Sequence, residues 1–369
     1  MTESLRNRTE AWNALVEEFR SYGGRVENVI QQQGPLGLGL FPIDPRQPVD
    51  LRVPQSLLVP ATNVELQNGA AVIKDDSMFP SGYGDWFRRY QATYSWGAEG
   101  EISVTRFETG LKNLPNNVGE LLNQLGLYRP EQRLTGKTFQ ESMLRRFLNS
   151  RCLGRQGQLL VMPLVELVNH SPQASNWEIN PDGSVGVSGQ HDGELLVKYS
   201  NSDPLQRLMG YGFNIQEPFG FSLSLKLRHR GQLVDVKGGG GRHWFYPPTL
   251  KQENRRLQVL QPLLSCQGHP RMPLTLFLSG CQSAEQPDGH ELFEKIHQAN
   301  TLALVELLKR LEAVPSQIAS LLRMGCLNQL TALSHHVGHR ADLIPRLEAL
   351  STEQHSALEL DQPWDNPPI

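Results

Sequence analysis

The residues with the greatest chemical capacity lie where a run of apolar side chains stops. Val161-Met162-Pro163-Leu164-Val165-Glu166-Leu167-Val168 leads straight into Asn169-His170-Ser171. An amide and an imidazole at the end of a buried segment are costly unless hydrogen-bonded, so they either cap a turn or meet a ligand. Thirty positions after Asn169 a strand-like segment ends in Tyr199, and twelve further on stands Tyr211-Gly212-Phe213. Far upstream, Gly37-Leu38-Gly39-Leu40 alternates glycine with leucine. That alternation lets a backbone approach a ligand closely, and it equally suits a tight turn between strands. Arg151, in Asn149-Ser150-Arg151, carries the planar fork that matches a carboxylate. Glu166 is the one acid in the apolar run, and pairing with Arg151 is one reading of it. Each of these residues taken singly has a bland reading as a turn, a cap or a packed aromatic. Their joint order along the chain is what sets them apart.

These side chains need elements to hold them. Residues 4–22 are expected to form a helix, because Trp12, Leu15, Val16 and Phe19 recur at helical spacing and Gly23-Gly24 ends the pattern. Between 25 and 60, Pro42, Pro45, Pro48, Pro54 and Pro60 exclude helix and leave short strands and turns. Residues 115–127 and 138–147 read as helices, while 71–110 show only weak periodicity. Trp177 to Ile179, Ser184 to Ser188 and Glu194 to Lys198 read as short strands divided by Pro-Asp-Gly and His-Asp-Gly turns. Phe221 to Leu227 alternates strictly and is the clearest strand pattern. Residues 290–312, 316–334 and 340–351 are helical in pattern, and the proline-bearing tail from Asp361 reads as frayed.

Bulk composition limits the classes. A chain of 369 residues with net charge −3 carries no global field toward nucleic acid or an anionic membrane. No run approaches the roughly 18–20 apolar residues of a membrane span. The polar, acid-bearing N-terminus has no signal core, so a cytoplasmic location is expected. Cys152, Cys266, Cys281 and Cys326 have no metal-ligand spacing, and no metal site is expected. Two decoys are set aside: Gly238 to Gly241 followed by Arg242-His243 lacks the context of a phosphate loop, and His335-His336 with His339 reads as a solvated helix face.

The order Gly-x-Gly, Asn-His-Ser, Tyr, Tyr-Gly-Phe resembles the SET domain of S-adenosylmethionine-dependent protein lysine methyltransferases. The subtype it resembles most is the Rubisco large-subunit methyltransferase class, in which an insertion splits the SET domain. The resemblance implies an α+β fold of small curved sheets with a pseudoknot, a helical insertion and a mostly helical C-terminal domain. The segments are then residues 1–22 as a leading helix, 23–62 and 149–227 as the two parts of the SET domain, 63–148 as the insertion and 228–369 as the C-terminal substrate-binding region. It implies a methyl group moved to a lysine side chain of a protein gripped by the insertion and the C-terminal helices. No nucleic acid or membrane partner is implied.

The same resemblance assigns residues. S-adenosylmethionine would lie against Gly37, Leu38, Gly39, Arg151, Asn169, His170 and Tyr199. Tyr199 would be the catalytic tyrosine and Tyr211 the second aromatic of a lysine channel, with Trp177, Phe213 and Glu166 on the substrate side. Methyl transfer to an amine is an in-line displacement that depends on positioning, and a phenolic oxygen can orient the amine while the ring favours positive charge. The chain departs from the family pattern at Leu36, where relatives often carry an acid before the glycines. It departs again at Glu166, where the usual residue is Asp, and at Ser200, Pro204 and Arg207, which replace Gly, Asn and Leu. A catalytically inactive SET-derived binding module and a histidine methyltransferase are the alternatives.

Overall fold

The computed structural model describes residues 3–239, 245–254 and 256–336. They form an α+β protein of small sheets and helices in two compact units. The first is built from Met1–Arg106 with Arg133–Tyr199, the second from Phe107–Gln132 with the described part of Ser200–Pro363.

In the first unit, helix Glu3–Ser21 buries Trp12, Leu15, Val16 and Phe19. It ends where Gly23 takes a φ of 97° and Gly24 donates to the Phe19 carbonyl. A Cβ on Gly24 would sit 2.0 Å from the Phe19 ring, so the second glycine is required by packing. A four-stranded antiparallel sheet follows, in the order Arg25–Glu27, Val49–Val53, Val185–Gly189, Glu178–Ile179. Pro54 and Pro60 each stand at the N-cap of a short 3-10 turn, which is how the proline-rich stretch is spent. The hairpin Val29–Gly34 with Gly37–Pro42 turns at Pro35-Leu36 and pairs Gln32 with Gly39.

The weakly periodic stretch contains a helix, Tyr83–Tyr94. Its buried face is aromatic: Tyr83, Trp86 and Tyr90 stack in series at 5.2 and 5.4 Å, and Phe19 lies on Trp86 at 5.0 Å. Stacked aromatic pairs add to the stabilisation from area burial alone. The signal was present in the spacing of these aromatics, interrupted by the polar Arg88, Arg89 and Gln91. Helix Phe139–Asn149 is capped by Thr138, whose hydroxyl accepts from the Glu141 amide.

In the second unit, a four-stranded sheet runs Leu225–His229, Gln232–Lys237, Arg256–Leu260, Thr249–Glu253, with a parallel central pair. Val234, Val236, Leu257 and Val259 alternate inward and are buried. Strands therefore occupy the first part of the C-terminal region, before helices Met272–Ser283, Gly289–Glu312 and Gln317–Leu333. The strand expected over Phe221 to Leu227 divides in two. Phe219–Phe221 pairs with Leu263–Cys266, and Leu225–His229 joins the larger sheet. The break falls where the Leu223 amide donates to Asn300 and the Ser224 amide to the Leu125 carbonyl, so tertiary partners replace ladder bonds. His336 is buried rather than solvated: it bonds Glu294 at 2.9 Å and faces the Phe293 and His297 rings at 5.0 Å. The helical pattern over 340–351, the frayed tail, His339 and the segment Gly240 to Trp244 lie outside the described residues.

Helix Pro204–Tyr211 opens with Asp203 as N-cap, its carboxylate accepting from the Gln206 amide at 2.8 Å. Burial pushes the Asp203 carboxyl up from 3.8 to about 7, and the charge of Glu217 adds to this. The folded chain thus holds a proton there that the unfolded chain has released. That contribution is full below about pH 4 and is lost as pH rises through about 7. Asp203→Asn keeps a capping oxygen and removes the titration. The expected result is a melting-temperature difference, variant minus parent, that grows in the variant's favour from pH 5 to pH 8. A constant difference across that range in scanning calorimetry refutes the assignment.

Candidate active site

The apolar run before Asn169 is not one strand. Gln158–Val161 pairs with Val59–Pro60, after which the chain turns at Leu164, whose φ of 66° is rare for a branched side chain. A 3-10 turn, Val165–Leu167, then delivers Asn169–His170 as a two-residue bridge parallel to Leu196–Val197. The reason for the break is Glu166. Its Oε1 accepts from Tyr90 Oη at 2.7 Å, Ser95 Oγ at 2.8 Å and Gln91 Nε2 at 3.0 Å. Burial raises the Glu166 carboxyl above its ordinary range, and the charge of Arg151 and these donors work against that shift. Tyr90, Gln91 and Ser95 were not singled out in the sequence. Arg151 is buried, its Nη1 donates to the Glu166 carbonyl at 3.4 Å, and its guanidinium lies 4.4 Å from the Phe147 ring. Its Nε, also buried, meets no protein acceptor among the described residues.

Asn169 faces the glycine hairpin. Its Nδ2 donates to the Leu38 carbonyl at 3.1 Å and to Glu194 Oε1 at 2.6 Å. Gly39 is required here, because a Cβ would sit 2.1 Å from Glu194 Oε1 and 2.9 Å from Asn169 Nδ2. The Leu195 amide donates to the Leu40 carbonyl, which ties the hairpin to the segment that ends in Tyr199. Burial raises the Glu194 carboxyl, and the bond from Asn169 lowers it in part.

His170 and Tyr199 are locked together. The Tyr199 amide must donate, so His170 Nδ1, 3.1 Å away, accepts. The ring proton is then on Nε2, and the 3.2 Å approach of Nδ1 to the Val197 carbonyl is not a hydrogen bond. The Tyr199 hydroxyl donates to the Val168 carbonyl at 2.7 Å. Its ring contacts that of His170 at 5.1 Å, tilted by 41°, and that of Trp177 at 6.1 Å, within 9° of parallel. With its proton committed to Val168, the phenolic oxygen can meet a further donor only as an acceptor.

The first unit therefore brings together Gly37, Leu38, Gly39, Asn169, His170, Trp177 and Tyr199, with Arg151 and Glu166 anchoring the turn that delivers Asn169. Tyr211 and Phe213 belong to the second unit, where their rings meet edge-on at 6.1 Å. The Arg207 guanidinium lies 4.7 Å from the Tyr211 ring, donates to Glu217 at 2.7 Å and to the Ser200 carbonyl at 2.9 Å. Three of the departures from the pattern lie in this unit: Arg207 binds the Ser200 carbonyl, and Pro204 occupies the first turn of a helix, where its missing N–H costs nothing.

No protein-family model matches the chain, and no curated protein matches it. Among solved structures it is similar to "Structure of Rubisco LSMT bound to AdoMet", at 14% identity over 94% of this chain and 93% of that one, with a TM-score of 0.39. It is also similar to "Crystal structure of the SET domain of LSMT bound to Lysine and AdoHcy", at 12% identity over 96% and 94%, with a TM-score of 0.35. At such identities and TM-scores neither likeness assigns a function to this chain. No helix among the described residues is long and apolar enough to cross a membrane.

Proposed function

We propose that the chain is an S-adenosylmethionine-dependent methyltransferase acting on a lysine side chain of a protein. The observation that carries this reading is the environment of Tyr199. A phenol whose proton is held by a backbone carbonyl, its ring stacked on Trp177 and tilted against His170, is a fixed acceptor with a π face next to it. Such an oxygen accepts from an incoming amine and orients its lone pair, and the neighbouring rings favour the positive charge that passes from sulfur to nitrogen.

The residues present fit the cofactor. Gly37 and Gly39 keep side chains off the hairpin, Asn169 offers the oxygen of an amide whose nitrogen is already engaged, and the buried Nε of Arg151 has hydrogen-bonding capacity to spare. When bound, S-adenosylmethionine supplies a methyl group on a sulfonium. The chain's share is to hold that donor by Gly37, Leu38, Gly39, Arg151, Asn169 and His170 and to align the amine at Tyr199. Tyr211 and Phe213 keep the roles that the sequence pattern implies, whereas the burial of Glu166 against Tyr90, Gln91 and Ser95 favours a supporting role over the substrate contact expected of it. The protein substrate is read as held by the insertion and the C-terminal helices.

The test is to incubate lysate with the purified chain and isotopically labelled methyl donor, then map labelled sites by mass spectrometry. Label on lysine of a protein is expected. Label on histidine would replace the acceptor, and absence of any label together with absence of thermal stabilisation by S-adenosylhomocysteine would overturn the reading.

A further inference from the structure

The Glu194 side chain occupies a position that the sequence pattern does not explain. Its carboxylate lies against the glycine hairpin: Oε1 comes within 2.1 Å of a Cβ built on Gly39, and Oε2 within 3.3 Å of one built on Gly34. Gly39 leaves room for that carboxylate, while a Cβ on Gly34 would first meet the Phe41 ring at 2.5 Å. That carboxylate is half-buried and has few partners. Asn169 Nδ2 is its hydrogen-bond donor, and no lysine, arginine or histidine among the described residues lies within ion-pair distance. An ionised carboxylate has room for about four donors, so a single amide leaves most of its capacity unused. Partial burial without a counter-charge is costly, and the cost is offset when a cation arrives.

The Asn169 amide points to the same kind of ligand. Both contacts of its nitrogen are to acceptors, the Leu38 carbonyl and Glu194 Oε1, which fixes the orientation of the amide. Its oxygen then faces the other way as an acceptor. The Glu194 carboxylate, with that amide as its one hydrogen-bond donor, complements a group that carries several N–H bonds and a positive charge.

We propose that Glu194 is the receiving site for a primary ammonium group, namely the α-ammonium of the amino-acid portion of the methyl donor. This rests on the methyltransferase reading above. The acceptor lysine also presents an ammonium, but Glu194 sits on the hairpin between Gly34 and Gly39, where the donor is read to lie. Glu194 is therefore a specificity residue: it selects a donor that carries an amine.

Calorimetry on the full chain, without protein substrate, separates the possibilities. The ligands are S-adenosylhomocysteine and the same thioether lacking its α-amino group. The parent is expected to bind the amine-bearing compound at least about tenfold more tightly, the scale of a charge-assisted bond. Glu194→Gln is expected to bring the two affinities to within about threefold by weakening the amine-bearing compound alone. Because the readout is a ratio within each protein, a general loss of stability does not mimic it; an equal loss for both ligands would make Glu194 structural and overturn the proposal. Unchanged binding of both ligands by the variant would also overturn it, and would move the ammonium in question to the acceptor lysine. If the parent binds neither compound, the methyltransferase reading itself falls, and this assignment with it.

Discussion

Tyr199→Phe is expected to lower the rate of methyl transfer by roughly 5- to 150-fold, which corresponds to about 1–3 kcal/mol from one oriented polar contact. Affinity for S-adenosylhomocysteine should stay within a few-fold of the parent. The ring survives the change, so its stacking on Trp177, its tilted contact with His170 and the amide bond to His170 Nδ1 are retained. What is lost is the oxygen that Val168 holds in place. Only contacts that strengthen in the transition state raise turnover, so the loss should appear in kcat and not in donor binding. Single-turnover kinetics with a mapped substrate, beside calorimetry, checks both halves. Full turnover by the variant, or loss of donor binding, would remove Tyr199 from the point of transfer.

Arg207→Leu should destabilise the protein by about 3–5 kcal/mol, although it restores the residue type of the family pattern. Both members of the Arg207–Glu217 pair are almost wholly withdrawn from water, at 0% and 1% side-chain exposure. Removing the guanidinium strips Glu217 of that partner, the Ser200 carbonyl of a donor and the Tyr211 ring of its cation. A buried charge deprived of its counter-charge costs more than the pair contributes. The double variant Arg207→Leu/Glu217→Leu should therefore recover at least half of the loss. Urea unfolding of the single and double variants measures this. A double variant less stable than Arg207→Leu would show that the charges themselves, and not their pairing, sustain this region.

The helices that carry much of the fold could be read from spacing. Trp12, Leu15, Val16 and Phe19, and later Leu304, Leu307, Leu308 and Leu311, fall on one face each and are all buried. The reason is that a helix repeats its partners every three to four residues, so a local pattern reports a non-local contact. Pro54 and Pro60, which read only as excluding helix, in fact precede short 3-10 turns, and Pro204, which reads as a departure from the family pattern, opens a helix; proline restricts its own φ, but the neighbours decide which element follows.

Strands were less legible. The alternation from Phe221 to Leu227 is continuous in sequence, yet the backbone leaves one sheet for another between Phe221 and Leu225. Asn300 and Leu125, distant in the chain, take the hydrogen bonds that a continuous ladder would have used. Period-two patterning says which side chains face inward; it does not say which strand lies alongside.

The candidate site divides in the same way. The chain order of glycines, Asn-His-Ser and tyrosines indicated which residues to consider, because residue type fixes what a side chain can donate, accept or stack against. Tertiary structure decided how those capacities are used. It set Glu166 behind Tyr90, Gln91 and Ser95, gave the Tyr199 proton to Val168, and laid Glu194 on the hairpin between Gly34 and Gly39. Each of those contacts joins residues 31 to 160 positions apart, and no periodicity along a chain encodes such a pairing.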